Sequence, residues 1–445
     1  MKRTPFSQCK SLLFASLLTL TTFAGCDDDS SESVAVEEVV TTNAKIAYAV
    51  FSDSVVTAEA LQLAVDAFVA DPTQPKMDAA KAAWKAAREP YGQTEVYRFG
   101  NANVDDWEGS VNAWPLGEAM IDYVATNIDG DSGPDSTAPS ANGNIIADTT
   151  IDVTSPSVIG GLNEDNDDER NVSAGYHAVE FLLWGQDLND QDATWDGTAI
   201  RDTTPGQRPL SDFFTTADEC TTGADHATQA DPTVCVRRGD YLKAVTQLLV
   251  DDLKIMVVDW DPAGTGNYYQ TFVAGGDASL AKMMAGMGRL SFGELAGERI
   301  NIARLQNSQE DEHSCFSDNT HRDIVLNAKG VQNTYLGTYT SSAGVTTKGP
   351  GLYDFLLGAG HSDIAEKLKE NLEATSTAAD AVDAKAKSGN PFDNQIQEND
   401  NTDVKAVVTA LINQATRDTE GSISKAAEVL GINIDDLEQD TEEPL

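Results

Sequence analysis

Positive charge is scarce in this sequence: 30 Lys and Arg stand against 72 Asp and Glu, a formal net charge of -42 at pH 7. A surface this acidic repels nucleic-acid phosphates and anionic lipid and attracts cations, and by itself it decides against nucleic acid as a partner and little else. The same charge also serves solubility, so it does not by itself establish cation capture. Long apolar runs are missing too. The stretch from Leu12 to Leu20 falls well short of the roughly 20 residues that span a bilayer. Regular alternation of apolar and polar residues between hairpin turns is absent, which argues against a β or α/β domain. Histidine and cysteine number five each, so metal or thiol chemistry has few residues to draw on.

Lys2, Arg3 and Lys10, the apolar run, and the closing Phe23-Ala24-Gly25-Cys26 read as a secretory signal ending in a lipobox. Residues 1–25 would then be removed, Cys26 would carry lipid as the sole membrane attachment, and residues 26–43 would form an acidic tether. The expected location is the cell envelope, facing the periplasm or the cell surface. Cys9 leaves with the signal. Cys220 and Cys235 flank a loop of Thr, Gly, Asp and Pro, and a disulfide between them would be worth about 3 kcal/mol in the chain-entropy model. Cys315 is left over and, without a recognisable Cys-His-Asn set, reads as a buried free thiol.

What the sequence does have is helical periodicity. Apolar residues recur at three and four over Ala44 to Ala70, Met77 to Phe99, Arg238 to Trp260, Ser279 to Gln306, Ser362 to Leu372, Ala378 to Lys387, Thr402 to Ala415 and Ser422 to Leu430. Asp71-Pro72 and Asp261-Pro262 punctuate them. Thr126 to Asn171 and Asn189 to Val236 read as long polar connections. The expected organisation is an all-α chain with a helical half over residues 44–215 and another over 238–432.

The sharpest feature is Gly175-Tyr176-His177-Ala178-Val179-Glu180. On a helix, positions three apart share a face, so His177 and Glu180 can offer an imidazole and a carboxylate to one ion, as helical bundles do for iron and manganese. A core histidine bonded to its own glutamate would have the same spacing. A second cluster runs from Glu310 to Asp323, where Glu310 and His313 repeat the spacing in reverse and His321 follows. Polar residues after a helix end are also ordinary caps and turns. Glu95, Arg98, Glu298 and Arg299 lie in apolar helices and read as groups that hold or complete a site. His226 and His361 read as solvent-facing. The acidic stretches Asn163 to Glu169 and Asp129, Asp131, Asp135 lack the ligand order of an EF-hand and read as solvated loops.

The G-x-H-x-x-E run and its Glu-Phe-Leu-Leu-Trp-Gly continuation resemble the imelysin family of metallopeptidase-like and iron-regulated lipoproteins. Further stretches resemble the same family: Tyr91 to Phe99, Asn112-Ala113-Trp114-Pro115, Arg237 to Leu242, and Glu312 to His321. The resemblance implies two helical bundles related by duplication, a site in the cleft between them, and His177 and Glu180 as its motif residues. The Glu-His-Ser-Cys-Phe run is most similar to the iron-regulated protein A branch, associated with iron acquisition. Within the chain itself, Arg88 to Arg98 and Gly293 to Arg304 echo each other only faintly.

Peptidase chemistry needs a third ligand and a base, as in H-E-x-x-H or H-x-x-E-H helices. Residue 181 is Phe where the inverted motif needs His, and H-E-x-x-H does not occur. The expectation is therefore an exported lipoprotein that binds a metal ion, iron first, with zinc or manganese compatible with the same donors. His177 and Glu180 are the expected ligands, completed from Glu95, Glu298, Glu310, His313 or His321. Iron-uptake machinery in the envelope is the expected partner. The alternatives are a metal-dependent peptidase and a polysaccharide- or partner-binding module.

Overall fold

The computed structural model describes residues 34–124, 144–165, 168–187, 203–216, 220, 232–397, 401–416 and 419–434. The signal segment, Cys26, the Asp129 to Asp135 stretch and His226 lie outside them. Among the described residues the chain is all-α apart from one antiparallel hairpin, Thr338–Thr340 paired with Thr346–Lys348.

The longest helices are α1 (Val36–Ala70), α2 (Gln74–Tyr91), α3 (Ala102–Asn112), α4 (Gly175–Trp184), α5 (Pro232–Asp259), α6 (Asp277–Arg289), α7 (Thr320–Leu336), α8 (Ser362–Lys387), α9 (Thr402–Ala415) and α10 (Ile423–Leu430). In α1 the buried positions Val40, Ala44, Ala47, Phe51, Ser54, Ala58, Leu61, Val65 and Phe68 follow helical spacing and form one apolar stripe. That stripe packs against α2 and α5, so helices from either side of residues 215–238 lie directly on each other. Helix α4 is buried at every one of its positions. A helix apolar all round belongs in a core, and α4 sits between α2, α3 and α5. A smaller second core holds Leu295, Ile300, Val382, Val404, Val407 and Leu411.

Several elements depart from the periodicity reading. Helix α1 starts at Val36, inside the expected tether, because Val39, Val40 and Asn43 are buried. Helix α8 is continuous where two helices were expected: Thr375 Oγ1 donates to Gln414 Oε1 of α9 at 2.6 Å, which satisfies the polar residue inside the core. Helix α7 and the hairpin were not anticipated, since polar residues dominate their sequence. After α6 the chain continues as a π-helix over Leu290–Asn301 before Ile302–Gln306. Cys220 and Cys235 are bonded, and Cys315 is free and buried. His361 is half-buried at the start of α8, rather than solvent-facing.

Candidate metal centre

The site begins with the glycine of the motif. Gly175 opens α4 at φ +83, and a Cβ there would come within 2.6 Å of the Val111 backbone in α3. Only glycine serves at such a position. The preceding turn is pinned by Asn163, whose Oδ1 accepts from Ser173 N at 3.0 Å and Ala174 N at 3.3 Å. Tyr241 of α5 donates to Ser173 O at 2.6 Å. Part of the acidic run is thus a staple for the helix entry. Gly175→Ala is expected to cost at least ~1–2 kcal/mol from the left-handed backbone alone, with the Val111 clash adding to it. A urea midpoint equal to the parent's would show this account of the motif glycine to be wrong.

From α4, His177 Nδ1 lies 2.9 Å from Glu180 Oε2, both side chains fully buried. The other oxygen, Glu180 Oε1, accepts from Ser317 N at 3.0 Å and Ser317 Oγ at 2.6 Å. His313 stands across from this pair, its ring 4.7 Å from that of His177. His313 Nδ1 meets Asp323 Oδ2 of α7 at 2.9 Å, and Asp323 Oδ1 accepts from Arg88 Nη2 of α2 at 3.0 Å. Each imidazole is therefore held at Nδ1 by a carboxylate. Its other nitrogen is turned elsewhere: His313 Nε2 has only Asn112 Nδ2, at 3.4 Å, and His177 Nε2 is buried without any hydrogen-bond partner.

Burial sets the protonation here. It pushes His177 well below the ordinary imidazole range, helped by the neighbouring His313 ring and the Arg88 guanidinium, and it brings His313 down to about 4, helped by Arg299. Both rings are neutral at pH 7. Burial also raises Glu180 to about 8, against the hydrogen bonds from Ser317. For Asp323, burial works upward but the Arg88 guanidinium overcomes it and holds the carboxyl well below its usual range.

In front of the pair lies an open cleft of about 750 Å³ lined by eight carboxylates and two arginines among the described residues. His313, Trp114 and Asn112 also line it. Both arginines are already engaged: Arg98 with Asp105, Glu108 and Glu294, Arg299 with Glu95 and Glu294. One wall is the π-helix. Bonding to the fifth residue lets Glu294, Glu298 and Arg299 share a face, and all three line the cleft.

The expected ligand residues divide accordingly. His177, Glu180 and His313 come together. Glu95 is spent on Arg299, whose Nη2 it meets at 2.7 Å. Glu298 lines the cleft. Glu310 lies close enough to Glu118 for its charge to push that buried carboxyl up. His321 faces Asp383 of α8 at 3.7 Å. No group of three His, Cys, Asp or Glu placed to hold an ion occurs among the described residues, so a bound ion would rest on the two imidazoles, with the rest of its shell supplied by solvent. Sequence spacing pointed to Glu180 as a ligand. It could not show that both of its oxygens are committed, nor that Arg88, Asp323 and Ser317 would hold the pair. The pairing of His313 with Asp323 crosses a turn and has no period to betray it.

A family model described as Imelysin matches residues 47–420. Over 56 residues the chain is 34% identical to iron-regulated protein A of Synechococcus elongatus; this stretch is 13% of the chain and spans 16% of that relative's length. A crystal structure from Parabacteroides distasonis, described as a candidate iron-regulated protein A precursor, shares the fold. Its TM-score is 0.60 at 18% identity, covering 88% of this chain and 94% of that one. An imelysin-like protein from Psychrobacter arcticum aligns at a TM-score of 0.46 and 12% identity, over 87% of this chain and 97% of that one.

Proposed function

Because this chain belongs to the imelysin family, we propose that it binds a metal ion, iron foremost, at the His177–His313 pair, as an exported lipoprotein working in iron acquisition or transfer. One observation carries the reading: two neutral imidazoles are each fixed at Nδ1 by a carboxyl group, and the buried Nε2 of His177 has no partner. A buried polar atom left unsatisfied is costly, and carboxylate-histidine pairs are how proteins orient imidazole toward a metal. The acidic cleft supports the same reading by raising the local concentration of cations. Once ionised, Glu180 acts by accepting Nδ1–H of His177, which leaves the Nε2 lone pair free. The relatives named for iron regulation make iron the first candidate, and zinc or manganese suit imidazole with oxygen donors as well.

A hydrolytic role would need a carboxylate free to act as base on a water at the ion. Glu180 is engaged at both oxygens, so the peptidase alternative would need another group. Elemental analysis of the chain from Asp27 onward, purified without chelator, tests the proposal beside His177→Ala/Glu180→Ala. Near-stoichiometric iron in the parent and none in the folded variant is expected. Zinc with casein cleavage lost in the variant would favour the peptidase, and no metal in either protein would end the reading.

Affinity should also depend on pH. With Glu180 raised to about 8, the His177–Glu180 pair keeps one extra proton at pH 7. Binding at Nε2 requires Nδ1–H to face an ionised Glu180, so that proton must leave. Affinity is expected to rise by about tenfold per pH unit from pH 6 toward 8 and then level off. Chelator-buffered titrations at pH 6, 7, 8 and 9 measure it, and a flat profile below 8 would contradict the assigned proton.

A further inference from the structure

The cleft reaches one member of the histidine pair directly: His313 lines it, and His177 does not. Trp114 lines the cleft, and its ring lies 5.0 Å from His177, 6.3 Å from His313 and 6.0 Å from Phe316. His177 lies against it with no exposed surface. The open volume of about 750 Å³ thus has the indole in its lining, while the unpartnered Nε2 of His177 behind that ring is buried. Trp114 itself is half-buried and belongs to the non-helical segment between α3 and the short helix Glu118–Ile121. It can therefore swing without breaking a helical ladder, as hinge and lid positions do.

Building on the metal-binding reading above, we propose that the Trp114 indole is the gate through which a cation passes from the acidic cleft, where His313 stands in the wall, to His177. Charge decides the class of ligand. Among the described residues, eight carboxylates against two occupied arginines line the approach, and the face of an indole attracts a cation through its quadrupole. An anion meets repulsion at both. When the indole is closed, it covers His177 and keeps solvent from the open nitrogen. When it swings aside, the ion meets the two imidazoles already oriented by Glu180 and Asp323.

Diethyl pyrocarbonate, which acylates unprotonated imidazole, reads this gate without any metal. In the full chain, His177 is expected to react more slowly than half-buried His361. Trp114→Ala should speed acylation of His177 by at least about tenfold, as expected when a local opening step is removed, with Trp114→Phe between the two. Peptide mass spectrometry locates the adduct, and circular dichroism establishes that the variants are folded. Stopped-flow binding of Co²⁺ is the second readout, with association and dissociation both quickened in Trp114→Ala. Acylation of His177 at the parent rate in folded Trp114→Ala and Trp114→Phe overturns the gate whatever the metal does. Faster acylation without Co²⁺ uptake by any of the proteins keeps the passage and defeats the ion-binding reading instead.

Discussion

Replacing Asp323 with alanine is expected to destabilise the fold by about 3–5 kcal/mol, the cost of leaving one member of a buried ion pair without its partner. Asp323 and Arg88 are 2% and 1% exposed at their side chains. Asp323 Oδ1 accepts from Arg88, while Oδ2 accepts from His313 Nδ1 and from Ser314 Oγ at 2.5 Å. Removing the carboxylate strands the guanidinium among the rings of Trp84, Tyr91 and Tyr176, with Asn112 Oδ1 as its remaining acceptor. Urea unfolding at pH 7 measures the loss. Arg88→Met/Asp323→Leu should recover much of it, because apolar replacement of both members of a buried pair is often near neutral. A depressed native pKa adds stability that is present above the unfolded value of about 3.9 and is lost as pH falls through the native one. The parent should therefore lose stability below pH ~4 by a term that Asp323→Ala lacks. A midpoint within experimental error of the parent would refute the assignment of this pair as the anchor of His313.

The second large effect separates a ligand from the group that orients it. His177→Ala should reduce metal affinity beyond measurement, since it removes the unpartnered Nε2 itself. Glu180→Ala should reduce it by about 10–100-fold, the usual loss when an outer partner of a metal-bound histidine is removed. Ser317→Ala, which takes away one of the two donors to Glu180 Oε1, should have a smaller effect in the same direction. Competition with a chelator of known affinity ranks the variants. Equal loss in His177→Ala and Glu180→Ala would restore Glu180 as a direct ligand, as the i, i+3 spacing alone suggests.

The contrast between those two residues marks how far the motif could be read. His177 and Glu180 are three apart on one helix, so their common face follows from helical geometry. Whether the carboxylate faces an ion or its neighbour's ring depends on Ser317, 137 positions away. The motif glycine is similar. Its presence was plain in the sequence, but its reason lies in the Val111 backbone of another helix. Trp114 was legible only through the family resemblance of Asn112 to Pro115, because its place beside the two histidines is set by three separate segments.

By itself the sequence determined the all-α class, the family and the local pair, because these depend on periodicity and on residues within one or two helical turns. It also determined the excess of negative charge, which is a matter of composition alone. The tertiary structure decided which of the expected donors meet. Glu95 went to Arg299 and His321 to Asp383, while His313 came to His177. Such choices rest on packing and on the cost of burying charge without a partner. Those energies exist only once distant segments share a core, so no spacing within the sequence can carry them.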